Sequence, residues 1–140
     1  MRTIKFRGKA QRDGEWFYGN YTDRDTKGRT HICNLNRGCL DIDPETVGQF
    51  TGLHDRKDHE IYDGDIIFVE FDDKSGGNQL VGWNEETASW GIMSTYEYQS
   101  LMDGDDWPEF KNHTLLAFLK HAIVCEVVGN IHDNPELIEE

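Results

Sequence analysis

Apolar and polar residues alternate in short runs along this chain, and each run stops at a turn signal, a pattern that selects a sheet over a helical bundle. In TIKFRG, Ile4 and Phe6 alternate with Lys5 and Arg7. QRDGE supplies a turn at Asp13-Gly14, and WFYGNY brings the chain back, which completes a β-hairpin. RTHICNL reads as a third strand after a charged turn from Asp23 to Gly28, TVGQFTG as a fourth, and NRGCLDIDP between them as loop. Further on, EIYDGDIIFVEF carries a turn at Asp63-Gly64 and then a strand from Ile66 to Phe71. DDKSGGN is a polar loop and QLVGW the next strand. NEET is a tight turn across which Trp83 and Trp90 can pair, with Val81 and Ile92 nearby.

Helical periodicity is confined to one place. From an N-cap at Asn112, the residues Leu115, Phe118, Leu119, Ala122 and Ile123 fall at the spacing of one helix face. Residues 94–111 fit neither period, and MDGDDWPEF is loop by its Gly, Pro and acid content. IVCEVVGNI reads as a closing strand before the polar tail HDNPELIEE. Many short strands with one late helix predict a mainly β fold, a small barrel or roll with an N-terminal hairpin extension.

At 140 residues, one domain and one core are expected. An apolar fraction of 36% is low, but the sixteen aromatics are spread along the chain and argue against disorder. No apolar run approaches the roughly 20 residues of a membrane helix, and MRTIKFRGKA lacks the apolar centre of a signal peptide, so the cytoplasm is the expected location. Cys33, Cys39 and Cys125 make an odd count without a secretion signal, so reduced thiols are expected. His31, Cys33 and Cys39 suggest part of a zinc site, yet there is no CxxC pair and a fourth ligand has to be invented. No metal and no cofactor are therefore expected.

The net charge of -13 is unevenly placed. Residues 1–30 hold eight basic and four acidic side chains, a balance of +4; residues 31–140 hold six and twenty-three, a balance of -17. A basic head against an acidic body suits an N-terminal hairpin lying on acidic surface of its own or a neighbouring subunit. It disfavours unspecific nucleic-acid binding.

The stretch GLHDRKDHEIYDGDII, residues 52–67, concentrates the groups that chemistry uses. His54, Asp55, Asp58 and His59 match neither HExxH nor an EF-hand loop. A charged hairpin tip with Asp58 in the left-handed conformation accounts for them. Asp63 and Asp65, two apart in an extended segment, face the same way and could serve as paired acid and base, or Asp63-Gly64 is the turn and Asp65 caps the following strand. Glu85 and Glu86 fall at a hairpin tip and Asp103, Asp105 and Asp106 in an open loop, where charge is normally solvated. No nucleophile elbow, P-loop or dinucleotide fingerprint is present, so catalysis has no support.

Taken together and in order, MRTIKFRGK, GEWFYGNY, DPETVGQFTGL, EIYDGDII, VGW and CEVVGNIHDNPELIE resemble the YopX family, small proteins carried by phages and prophages. The resemblance spans nearly the whole chain and implies an SH3-like barrel over 53–132, an N-terminal β region over 1–52 and a tail over 133–140, all in one domain. The family's turn is of Asn-Gly type where this chain has Arg56-Lys57-Asp58-His59. Its signature positions here are Gly52, Tyr62, Gly64, Asp65, Trp83, Gly129 and Asn130, expected to be determinants of fold. No activity is implied, and fold alone gives none.

The leading expectation is thus a non-catalytic accessory protein that binds a host or phage protein and self-associates. Its candidate surface is Arg2, Lys5, Arg7, Lys9 and Arg12 with Trp16 and Tyr18, to which the nucleic-acid alternative below adds Phe17. The alternatives are an acidic mimic of nucleic acid that occupies a host enzyme's DNA site, direct nucleic-acid binding through the basic hairpin, and a metal-dependent hydrolase using Asp63, Asp65, His54 or His59.

Overall fold

The computed structural model describes residues 2–104 and 114–139. Its chain falls into two compact units, Met1–Gly52 and Leu53–Glu140.

In the first unit β1 (Phe6–Lys9), β2 (Trp16–Thr22), β3 (His31–Asn34), β4 (Gly38–Asp41) and the start of β5 (Gly48–His54) pair antiparallel in the order β4-β3-β2-β1-β5. Register decides which side chains are buried. Gly8 faces Phe17 and Tyr21 faces Ile32, and on that side Ala10, Phe17, Ile32 and Ile42 form a core, with Phe6, Leu40 and Val47 packed around it. The alternate positions point the other way: Arg7 faces Tyr18, Lys9 faces Trp16 and Cys33 faces Cys39. Beyond β4 a short 3-10 turn, Pro44–Thr46, is capped by Asp43, whose carboxylate accepts from the Glu45 N–H at 3.1 Å. Thr46 Oγ1 accepts from the Lys9 backbone N–H at 2.8 Å, tying that turn to β1.

The second unit begins with the end of β5 and its hairpin partner β6 (Glu60–Tyr62). Then come β7 (Asp65–Glu70), β8 (Gly76–Asn84), β9 (Ser89–Ser94), α1 (Thr95–Met102), α2 (Leu115–His121) and β10 (Val124–Asn130). The sheet order is β10-β7-β8-β9, antiparallel throughout. Both faces are covered. Ile67, Val69, Val81 and Ile92 cluster with Leu115, Ala122 and Cys125, and Phe118 and Leu119 of α2 pack against them. Ile66, Leu80 and Met93 on the other face cluster with Ile138, with Tyr98 of α1 and Leu137 against them. Each fully buried Ile, Val or Leu contributes about 1.5–3 kcal/mol of transfer free energy, which makes this double-faced sheet the main apolar store of the unit.

Several expectations are corrected. Neither sheet closes into a barrel among the described residues; the strands form two open sheets. NRGCLDIDP is not all loop, because Gly38–Asp41 pairs residue for residue with β3. Gly76–Asn78 of the expected polar loop belongs to β8. Residues 95–102 are helical, begun by Ser94, whose Oγ accepts from the Glu97 N–H at 3.2 Å. Asn112 lies outside the described residues; the cap of α2 is Thr114, whose Oγ1 accepts from the Ala117 N–H at 3.1 Å. Ile123 lies past the last turn of α2 and is 47% exposed, so the helical spacing that included it ran too far. Cys33 and Cys39, expected as reduced thiols, are joined as a disulfide across the β3–β4 ladder, because their register sets the two Cα atoms 4.0 Å apart. Cys125 is free and buried.

Candidate functional site

The 52–67 stretch folds as two successive turns. At the first, Asp58 has φ +65° and the Asp55 N–H donates to His59 O at 2.9 Å. The Asp55 side chain turns inward and is fully buried. Its Oδ1 accepts from the Lys57 and His59 backbone N–H groups, each at 2.9 Å, and its Oδ2 from the Val127 N–H at 2.9 Å. Burial pushes this carboxyl's pKa up, but the hydrogen bonds from Val127, His59 and Lys57 outweigh it and hold the group below the ordinary value. Next to it, Arg56 donates from Nη2 to Leu119 O at 3.1 Å and to Ala122 O, capping the carbonyl end of α2. At the second turn Gly64 has φ +88°, and Asp65, 1% exposed, accepts the Tyr62 N–H at 2.7 Å. Asp55 and Asp65 therefore spend their lone pairs on backbone donors, while His54, Asp58 and His59 lie on the surface. Among the described residues, with Cys33 and Cys39 joined as a disulfide, no group of three or more His, Cys, Asp and Glu side chains is arranged to hold a metal ion.

The candidate basic surface divides. Lys5, Arg7 and Lys9 alternate along one side of β1, and Trp16 and Tyr18 stand opposite them on the same side of β2. The Arg7 guanidinium lies 4.6 Å from the Trp16 ring centroid, Lys9 Nζ 5.5 Å from it, and Lys5 Nζ 5.3 Å from the Phe50 centroid. Arg7 is only 6% exposed, so it supports the face from beneath rather than reaching a partner. Phe17 does not belong here; it faces the core at 3% exposure. Tyr18 is 44% exposed, Arg2 is exposed, and Arg12 is exposed at the hairpin turn beside Asp13 at 3.4 Å.

A polar cluster of which the sequence singled out only His31 lies at the far end of the same sheet face. Asp25 organises the turn before β3: its Oδ1 accepts from the Lys27 and Arg29 backbone N–H groups at 2.8 and 2.9 Å, and its Oδ2 from Arg29 Nε at 3.0 Å. His31 Nε2 is 2.8 Å from the same Oδ2, while its Nδ1 is 2.9 Å from Asp41 Oδ1 without hydrogen-bond alignment. The bond from His31, helped by those from Arg29 and Lys27, holds the Asp25 carboxyl far below the usual carboxylate range. Beside it Gln11, Gly28, Arg29, Thr30, Asp41 and Ile42 line an open cleft of about 240 Å³. Asp41 stood in a segment read as loop, so its place opposite His31 was visible only once β4 was paired.

The signature positions sit at points of tight geometry. Tyr62 is buried at 3% and donates its hydroxyl to Glu60 Oε1 at 3.1 Å. Trp83 and Trp90 meet edge to face with centroids 5.1 Å apart. Gly52 falls within β5. At Gly129, next to a register shift in β10, a Cβ atom would stand 2.5 Å from Asn134 Oδ1. The Asn130 side chain accepts from the His132 and Asp133 N–H groups at 3.0 and 2.9 Å, closing the turn that follows.

No helix among the described residues is long and apolar enough to cross a membrane. No protein with a curated description matches this sequence. Protein EF1440 from Enterococcus faecalis, known from its crystal structure, is similar over 99% of this chain and 100% of its own, at 16% identity and a TM-score of 0.48. Residues 5–139 match the family model described as YopX protein; with nearly the whole chain covered, this protein belongs to the YopX family.

Proposed function

We propose that this protein is a non-catalytic binding module, an accessory protein of phage or prophage type, that engages acidic protein surfaces through the outer side of β1 and β2. The acidic body of a second copy is one such surface. The observation that carries the reading is the alternation of Lys5 and Lys9 with aromatic rings on one sheet face, each ammonium within 5.5 Å of a ring centroid. Cations that lie over the Trp16 ring leave less of its π-face for a nucleobase, which favours carboxylate partners over stacked bases. The inward commitment of Asp55 and Asp65 supports a non-catalytic role.

Sedimentation at low ionic strength and at about 1 M salt, where the screening length falls to about 3 Å, tests self-association. A low-salt oligomer that dissociates in high salt, and that Lys5→Glu with Lys9→Glu abolishes, is the expected result. A monomer at every concentration in low salt removes self-association. Capture from host lysate with and without nuclease tests the choice of partner, and retention that vanishes with nuclease transfers the face to nucleic acid.

A further inference from the structure

The register of β3 and β4 places four ligand-type side chains on one face of one hairpin: His31 opposite Asp41 and, two residues along, Cys33 opposite Cys39. We propose that in its dithiol form this hairpin is a zinc site, with Cys33 and Cys39 as thiolates, His31 through Nδ1 and Asp41 through Oδ1. In an antiparallel ladder, same-face neighbours lie about 6.6 Å apart along a strand and about 5 Å apart across it. An ion above the centre of such a rectangle is about 4 Å from each Cα in projection, within reach of Zn–S bonds of about 2.3 Å and Zn–N bonds of about 2.0 Å. Two soft thiolates with one imidazole and one carboxylate select zinc over magnesium or calcium.

The imidazole is already arranged as a ligand. Nε2 lies at hydrogen-bond distance from Asp25 Oδ2, the carboxylate-behind-histidine arrangement that fixes a metal-binding ring and its tautomer. With the proton on Nε2, Nδ1 keeps a buried lone pair that has no aligned hydrogen bond and no solvent, 2.9 Å from Asp41 Oδ1. Two electron-rich atoms therefore lie side by side, one of them without an aligned hydrogen bond, and a bound cation satisfies both. Arg29, paired with Asp25 through Nε and Nη2, also brings Nη1 within 3.8 Å of Asp41 Oδ2, so a guanidinium stands beside a centre whose two thiolates, one carboxylate and one Zn²⁺ sum to -1. In the disulfide state the two sulfurs are bonded to each other, so the site exists only after reduction. A dithiol reductant supplies two electrons and two protons, breaking the S–S bond and itself becoming a disulfide; zinc then displaces the two thiol protons to solvent.

The test is a cobalt(II) titration of the full chain, reduced with a phosphine and freed of metal. Expected are one equivalent of tetrahedral cobalt with a thiolate charge-transfer band, its displacement by zinc, no binding by the oxidised protein, and loss of that spectrum in His31→Ala. Asp25→Asn should weaken binding by about 10–100-fold while keeping the spectrum, and Cys125→Ala should leave both unchanged. Zinc should also shield Cys33 and Cys39 from alkylation in the unmutated protein, a readout that does not depend on any variant folding. The assignment is overturned if the reduced protein takes up no cobalt, if the oxidised protein binds equally, or if His31→Ala retains the spectrum.

Discussion

Replacing Asp55 is the most informative single perturbation of the fold. Its carboxylate receives three backbone N–H groups at 2.9 Å, two from its own turn and one from Val127, seventy-two residues away. In Asp55→Ala, water can reach the exposed tip at Lys57 and His59, so each of those losses costs about 1 kcal/mol, while the half-buried Val127 N–H is left without its acceptor at about 2 kcal/mol. The expected total is about 4 kcal/mol, a drop of about 14 °C in melting temperature for a chain this long. Asp55→Asn retains an acceptor for the tip but turns an NH₂ group toward the Val127 N–H, and should cost about half as much. Urea unfolding at neutral pH measures both variants. The folded carboxyl titrates below its unfolded value, so the stability it confers is complete above about pH 4 and is lost as pH falls through the lower, folded-state pKa. The gap between the native protein and Asp55→Asn should therefore narrow in acid. An Asp55→Ala protein within about 0.5 kcal/mol of the native one, or a gap that ignores pH, refutes the argument.

Two further outcomes are expected. Gly129→Ala forces a Cβ against Asn134 Oδ1 and Leu137 Cδ1, at 2.5 and 2.9 Å, and should destabilise by about 1–3 kcal/mol in the same urea assay, as overpacking does. Burial, with the Asp55 carboxylate nearby, pushes the Cys125 thiol up to about 11. Iodoacetamide near pH 8 should therefore label Cys33 and Cys39 after reduction and leave Cys125 untouched, as read by peptide mass spectrometry under native conditions.

What the sequence disclosed follows from how local each cause is. The turn at Asp58, the turn at Asp63-Gly64 and the Trp83–Trp90 pair depend on residues within a few positions of one another, and their chemistry is visible in a line of text. β4 was hidden because Gly38 and Asp41 carry loop-type propensities that its pairing with β3 overrides. α1 was hidden for the opposite reason: it buries no residue fully and so leaves no apolar stripe to detect. The carboxylates of Asp55 and Asp65 looked available for chemistry until their backbone donors were located. The Asp25–His31–Asp41 cluster depends on a strand pairing that no spacing rule exposes.

The position of β10 has a consequence for synthesis on the ribosome. The first unit has all of its residues once Gly52 has emerged, whereas β7 cannot gain its β10 neighbour, nor Asp55 its third donor, until residues 124–130 have followed. Sixty residues separate the end of β7 at position 70 from the end of β10 at position 130, which at ordinary elongation rates takes about 3–12 s. During that interval one long edge of the nascent second sheet has unpaired backbone groups. Codon usage that slows the ribosome after residue 70 would lengthen that exposure, and a chaperone able to hold an open strand edge would matter most in this window.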